Sequence, residues 1–250
     1  MKYVRFAYQG TTCYGLLEGS TIEAIKGTPF GEYSPTGKTF PLDTVELLTP
    51  CDFSKALCIG LNYSDHAMEV QLPIPTEPVV FMKPSTSALA HLGIIKYPKM
   101  SHRLDYEAEL AIVIGKRAKD VPLMDAEKYI LGYTCANDIT ARDLQPKQGQ
   151  WTVAKSFDTF CPFGPFISDE VDPSSLTIES RVNGKTMQKS NTKNLIFDVP
   201  FLVSYLSQVM TLLPGDIILT GTPGGISGMH HGDTVEILIE GLGVLKNTIG

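Results

Sequence analysis

The sequence predicts an α+β fold dominated by β-structure, with an antiparallel or mixed sheet architecture and helices at its periphery. Three observations lead there. Short apolar runs, many with period-two alternation, recur along all 250 residues. The 17 prolines and 22 glycines interrupt these runs too often for long helices. The few helical patterns do not alternate with the strands as they would in a parallel βαβ sheet.

Residues 1–54 read as a small β-rich unit. KYVRFAY, CYGLLEG and TIEAIKG are short strands separated by Gly, Ser and Thr turn signals, and PFGEYSPTGKTFP reads as loop. A larger unit spans residues 55–250. In it ALCIG, PVVFMKP, ELAIVIG, PFISD, DIILTG and TVEILIEG have the apolar, β-branched character of strands. Three segments fit helices. NYSDHAMEV is short, with Ser64 as its N-cap, and LMDAEKYIL is the second. DVPFLVSYLSQVM is the longest. Asp198 caps it, Pro200 falls in its first turn, Phe201, Leu202, Tyr205 and Val209 share an apolar face, and LPGD ends it.

Composition narrows the function. The chain is 43% hydrophobic and 19% charged, an ordinary globular balance with material for a core. A net charge of −6 and a pI of about 5.4 argue against nucleic acid or an anionic membrane as partner. An anionic substrate would therefore need a local cluster of positive charge. No run approaches the ~18–20 apolar residues of a spanning helix. The start, MKYVRFAYQGTTCYG, lacks the apolar centre of a signal peptide, so a cytoplasmic location is expected. Five scattered cysteines without a CxxC pair read as free thiols of a reducing compartment.

LDYEAELAIVIG places Glu107 and Glu109 at the mouth of a buried run. On a strand they share a face, roughly 6–7 Å apart. Two like charges beside apolar sequence resist desolvation unless something compensates them. Ion pairs with Arg103 or Lys116 on a sheet edge are one compensation. A cation shared with Asp138, which follows the uncharged run GYTCAN, is another. Three carboxylates form a hard oxygen set suited to Mg²⁺ or Mn²⁺, less tightly to Ca²⁺, and poorly to zinc or copper. With a divalent ion the trio lacks one positive charge, and Lys155 in VAKSFD is placed to supply it.

His66 and Glu69, three apart on a helix, share a face as an oriented general base would. A surface histidine with an intrahelical partner has the same spacing. His230 and His231 in GMHHGD point apart and read as a solvated turn. In ILTGTPGG, Gly221 and Thr222 end a strand, where N–H and hydroxyl groups can hold a carboxylate or merely turn the chain. The segment lacks the Gly-Lys-Ser/Thr ending of a phosphate loop. Arg142, four residues after Asp138, can clamp the same anion through two parallel hydrogen bonds.

In their order, GLNYSDHAMEV, FMKPSTSAL, LDYEAELAIVIG, GYTCANDITARDLQ, WTVAKSFDTFCPFGPFI, VNGKTMQKSNTKNLIF and GDIILTGTPGGI resemble the fumarylacetoacetate hydrolase family from about residue 55 to the end. The resemblance implies a mixed β-sandwich roll with a small amino-terminal extension, usually as a homodimer. It implies a Mg²⁺ or Mn²⁺ site at Glu107, Glu109 and Asp138, with Lys155 as the active-site lysine. His66 and Glu69 match the acid–base pair of a mobile lid. Arg142, Gln145 and Thr222 match positions that contact substrate or order the site. Gln188 stands where many members carry an Arg-Gln pair, but Met187 replaces the arginine, which puts that mode of recognising a distal carboxylate in doubt.

The implied activity is C–C bond cleavage in a short 2-oxo or 2,4-dioxo carboxylate, by acylpyruvate or fumarylpyruvate hydrolysis or by oxaloacetate decarboxylation. The metal would act as a Lewis acid towards the enolate of the departing pyruvate. Isomerisation of a 2-hydroxy-2,4-dienedioate in aromatic catabolism is the second reading, and a non-catalytic oxo-acid binder the third.

Overall fold

Two packed sheets, a small three-stranded sheet and a peripheral set of short helices bear out the mainly-β expectation. The computed structural model describes residues Met1–Gly250. The large sheet runs, in spatial order, Tyr33–Pro41, Thr21–Gly27, Thr11–Glu18, Lys2–Tyr8, Cys161–Ser168, Ile130–Asn137, Ala108–Ile114, Ile217–Leu219, Ala56–Gly60 and Val79–Lys83. Most neighbours are antiparallel, while Ile217–Leu219 and Ala56–Gly60 run parallel. The second sheet orders Lys185–Asn191, Thr177–Val182, Thr234–Ile239, Gly243–Ile249 and Ile94–Ile95. Its inner face meets the large sheet over a core of 33 buried apolar side chains, including Leu110, Ile112, Ile178, Ile237 and Leu245. Each fully buried Leu or Ile contributes roughly 1.5–3 kcal/mol.

The amino-terminal strands extend this same large sheet, because Lys2 and Tyr3 pair with Ser168 and Ile167. PFGEYSPTGKTFP, expected as loop, contains the strand Tyr33–Pro41, paired with Thr21–Gly27. As an edge strand with mostly exposed side chains it needs no apolar alternation, and an edge tolerates its prolines.

Three α-helices are present: α1 (Ser64–Glu69), α2 (Thr152–Lys155) and α3 (Val199–Val209). Tyr63 rather than Ser64 occupies the cap position of α1, and no side chain caps it. LMDAEKYIL forms 3₁₀ turns over Leu123–Tyr129 instead of an α-helix. It buries only Ala126, so no apolar stripe rewards a longer helix. In α3 the Asp198 side chain accepts from Phe201 N as expected. The buried stripe, however, is Val199, Leu202, Val203 and Leu206. Phe201 and Tyr205 stack with Phe197 along a half-buried flank, and Val209 is exposed.

Candidate active site

Strand Ala108–Ile114 is hydrogen-bonded on both sides, by Ile130–Asn137 and Ile217–Leu219. Glu107 and Glu109, both buried, thus lie at the start of a central strand on its face opposite Leu110 and Ile112, and the sheet-edge alternative falls away. Arg103 pairs with Asp105 instead. Asp138 follows the neighbouring strand, and its N–H donates to Glu107 O at 3.0 Å. One oxygen from each of Glu107, Glu109 and Asp138 lies within 4.8 Å of the others, and all three residues are buried.

Lys155, on α2, donates to Glu107 Oε2 at 2.8 Å and to Asp138 Oδ2 at 2.6 Å. Arg142 donates through Nε to Asp105 Oδ2 at 2.7 Å and also bonds Glu107 Oε1 and Gln145 Oε1. Gly221 N donates to Glu109 Oε2 at 2.6 Å. This contact needs glycine: Gly221 has φ +97°, and a Cβ would lie 2.8 Å from Asn62 Cβ.

Two cationic or anionic partners escape a sequence reading. Lys83, in the apolar strand Val79–Lys83, is fully enclosed; its Nζ forms an ion pair with Asp138 Oδ1 and donates to Ile139 O at 3.2 Å. Asp105 is also fully buried and anchors both Arg103 and Arg142. The readable signals were a lysine inside an apolar strand and a third acidic residue in register with 107 and 109.

These charges split the carboxylates. Burial alone would raise the Glu107 pKa, but Lys155 and Arg142 outweigh it and hold the group at about 2. Burial pushes Glu109 well above the usual carboxylate range, and the charges of Asp138 and Glu107 push it further. Burial opposes the charge on Lys155, yet Asp138 and Glu107 raise its pKa above the ordinary lysine value.

The donor set fits a hard divalent cation. Asp138 Oδ1 is buried and takes no well-aligned hydrogen bond despite its ion pair with Lys83. Glu109 Oε1 takes no hydrogen bond from the protein, whereas Oε2 accepts from Gly221 N. Three oxygens of this kind leave coordination positions for water and substrate.

A cavity of about 230 Å³ opens onto the trio. His66, Arg142, Gln145, Lys155 and Thr222 line it beside Phe81, Trp151 and Leu72. His66 Nδ1 lies 3.1 Å from Glu69 Oε2, and Gly225 N donates to both Glu69 oxygens at 3.2 and 3.1 Å. With Nδ1–H donated to Glu69, the His66 Nε2 is left as the basic nitrogen. The structure thus gathers His66, Lys155, Arg142, Gln145, Thr222 and the three carboxylates around one space. Gly221 and Gln188 do not line it. Gly221 holds Glu109 from behind, and Gln188 is wholly buried with its amide bonded to Ala108 N, Thr222 Oγ1 and Pro223 O. His230 and His231 lie elsewhere, His231 stacked on Tyr97. All five cysteines are free. No helix is long and apolar enough to cross a membrane.

Comparison with known proteins points the same way. A family model described as "Fumarylacetoacetate (FAA) hydrolase C-terminal" matches residues 55–250, and one described as "Rv2993c-like, N-terminal" matches residues 1–50. The mitochondrial oxaloacetate tautomerase FAHD2A of Bos taurus is 42% identical over 222 residues, covering 84% of this chain and 71% of that protein. The crystal structure of 5-carboxymethyl-2-hydroxymuconate delta-isomerase from Mycobacterium smegmatis is 43% identical, with TM-score 0.94 and coverage of 100% and 99% of the two chains. Fumarylpyruvate hydrolase from Pseudomonas aeruginosa, in complex with Mn²⁺ and pyruvate, is 34% identical with TM-score 0.75, covering 86% and 92%.

Proposed function

Because the chain belongs to the fumarylacetoacetate hydrolase family, we propose that it is a Mg²⁺- or Mn²⁺-dependent enzyme that moves a proton at C3 of a short 2-oxo dicarboxylate, interconverting keto and enol forms. The observation that carries this reading is the meeting, in one cavity, of a three-carboxylate cation site with a single oriented base, His66. A bound divalent ion, held by Glu107, Glu109 and Asp138, would supply Lewis acidity that lowers the cost of negative charge on the 2-oxo oxygen.

The chain's own groups do the rest. His66 Nε2 takes the C3 proton and delivers it to the 2-oxo oxygen to give the enol, the reverse transfer giving the keto form, while Glu69 fixes the ring. Lys155 steadies Glu107 and Asp138, and Arg142, braced by Asp105, offers guanidinium N–H groups to a carboxylate at the cavity wall. The apolar side chains of Leu61, Val70, Leu72 and Ile226 exclude bulk water. Charge supports a dicarboxylate. Sequence reasoning expected a single lysine, but Lys83, Lys155, Arg103 and Arg142 balance Asp105, Glu107, Glu109 and Asp138. A divalent ion then leaves two positive charges, which a dianion matches.

C–C cleavage of an acylpyruvate or fumarylpyruvate, or decarboxylation of oxaloacetate, is the second reading, because the same base can direct water to a C4 carbonyl. The fumarylpyruvate hydrolase with Mn²⁺ and pyruvate supports it. The greater identity of the isomerase and the tautomerase, 43% and 42% against 34%, and the fuller coverage of the isomerase support the first. The deciding assay follows enol absorbance and pyruvate release in parallel, with oxaloacetate, a 2-hydroxy-2,4-dienedioate and an acylpyruvate plus Mg²⁺. Enol–keto exchange without pyruvate supports proton transfer, pyruvate release supports cleavage, and silence with every substrate removes both. The same reading carries a homodimer, and light scattering at the mass of one chain would remove it.

A further inference from the structure

We infer that Gln188 is a positioning residue that couples the metal-binding strand to the lid helix α1. The inference rests on the proposed cation site and deepens it, since it assigns to a residue outside the cavity the task of keeping lid and metal ligands in step.

Gln188 has no polar atom left for a substrate. Its Oε1 accepts from Ala108 N at 3.0 Å, and Ala108 is the residue between Glu107 and Glu109. Its Nε2 donates to Thr222 Oγ1 at 2.8 Å and to Pro223 O at 2.7 Å. The side chain is fully buried, so each of these bonds is expensive to leave unmade. Two residues beyond Pro223, Gly225 N holds both oxygens of Glu69, which in turn fixes His66. Gly225 also lies directly on the backbone beside Gln188, where a Cβ would stand 2.6 Å from Met187 O.

The strand Lys185–Asn191 supports the lid a second time. Asp65, in the first turn of α1, accepts from Ser190 Oγ and from Asn194 Nδ2 at 3.3 Å. One strand therefore grips the lid through Asp65, and grips the loop that latches Glu69. Through Ala108 N it also grips the backbone carrying two of the metal ligands. When the repelling carboxylates close on a cation, the movement of Ala108 reaches the latch through a single amide. A bound cation then stabilises the closed lid, and the closed lid strengthens cation binding by the same factor.

The test uses full-length protein, Mn²⁺ and no substrate. Hydrogen exchange of the amides in residues 64–70 is measured with and without Mn²⁺, and calorimetry records Mn²⁺ binding. In the unsubstituted protein Mn²⁺ should slow that exchange at least about fivefold, the lower end of ordinary coupling between sites. Gln188→Met should still bind Mn²⁺ and lose most of the protection. A purely structural role would instead speed exchange throughout and leave the ratio with and without Mn²⁺ unchanged. Equal protection in the two proteins overturns the inference, as does a lid in the unsubstituted protein that ignores Mn²⁺. Should Gln188→Met fail to fold, Thr222→Val removes one of the amide's partners at nearly constant shape. Partial loss of protection there supports the coupling, and full protection overturns it. A chain that turned over no 2-oxo acid but kept this Mn²⁺ response would refute the proposed reaction and leave the coupling standing.

Discussion

Replacing Lys83 by methionine tests the electrostatic argument at its least visible point. Met keeps the apolar stem and removes the ammonium that faces Asp138 Oδ1 and donates to Ile139 O. Asp138 keeps Lys155 on its other oxygen, but Oδ1 is left buried and without any partner. Breaking one side of a buried ion pair typically costs about 3–5 kcal/mol, because the remaining charge is neither paired nor hydrated. For a chain of this size each kcal/mol lowers Tm by about 2–4 °C, so metal-free Lys83→Met should melt roughly 6–20 °C below the unsubstituted protein. A divalent ion replaces the missing positive charge and no longer competes with the ammonium. Mg²⁺ should therefore raise the Tm of the variant more than that of the unsubstituted protein. At a concentration of 100 Kd the ordinary binding linkage is about 2.7 kcal/mol, and the variant should exceed its parent at matched Mg²⁺. Scanning calorimetry in chelator and in Mg²⁺ reads both effects. A metal-free Tm within about 2 °C of the parent, or equal Mg²⁺ shifts in both proteins, would refute the reasoning.

The remaining predictions concern the carboxylates and helix α1. Glu109→Gln should remove calorimetric Mg²⁺ binding and activity together, and a variant that binds Mg²⁺ as before would take Glu109 out of the metal site. The folded, metal-free protein keeps a proton on Glu109 that the unfolded chain releases above its ordinary value of 4.5, so this group contributes less stability as pH rises from there. Mg²⁺ requires the ionised carboxylate, hence Mg²⁺ affinity should increase with pH and binding should release a proton, which calorimetry in two buffers measures. Glu107 has the opposite sign: held at about 2, it stabilises the fold above 4.5, and acid unfolding in chelator should show that contribution vanish as pH falls towards 2. His66→Ala should keep Mg²⁺ binding while lowering turnover by about 10²- to 10⁴-fold, and unchanged turnover would remove it from the mechanism. Gly224→Ala places a Cβ 2.7 Å from Glu69 Oε2, so exchange of the α1 amides should accelerate, and unaltered exchange would show that the latch yields without cost.

What the sequence reveals and what it conceals follow from the range of the interactions. Glu107 and Glu109 are legible because a two-residue repeat at the start of an apolar strand fixes their common face locally. Asp138 is legible because it terminates the adjacent strand. The buried face of α3 is less so: 199, 202, 203 and 206 form as good a helical stripe as the one through 201, 205 and 209, and only the packed sheet chooses between them. The strand Tyr33–Pro41 shows no alternation because an exposed edge does not demand any. Lys83 and Asp105 stand apart from their partners, Lys83 by 55 residues from Asp138 and Asp105 by 37 from Arg142, and no local period encodes such pairings.

Those two omissions bear directly on chemistry. Counted from the motif residues alone, three carboxylates, one lysine and a divalent ion are neutral, and nothing in that sum prefers a dianion to a neutral ligand. The tertiary structure adds Lys83 and Arg142 to the carboxylates and assigns Asp105 to balance Arg103. Loading the metal then makes the cavity cationic inside a chain whose net charge is −6. Affinity for a dicarboxylate over its monocarboxylate analogue should consequently depend on Mg²⁺. 2-Oxoglutarate and 2-oxopentanoate, two 2-oxo acids of equal chain length that differ by one charge, provide the comparison. If calorimetry shows Mg²⁺ strengthening both to the same degree, the site recognises the chelating oxygens alone and the charge argument for a dicarboxylate substrate fails.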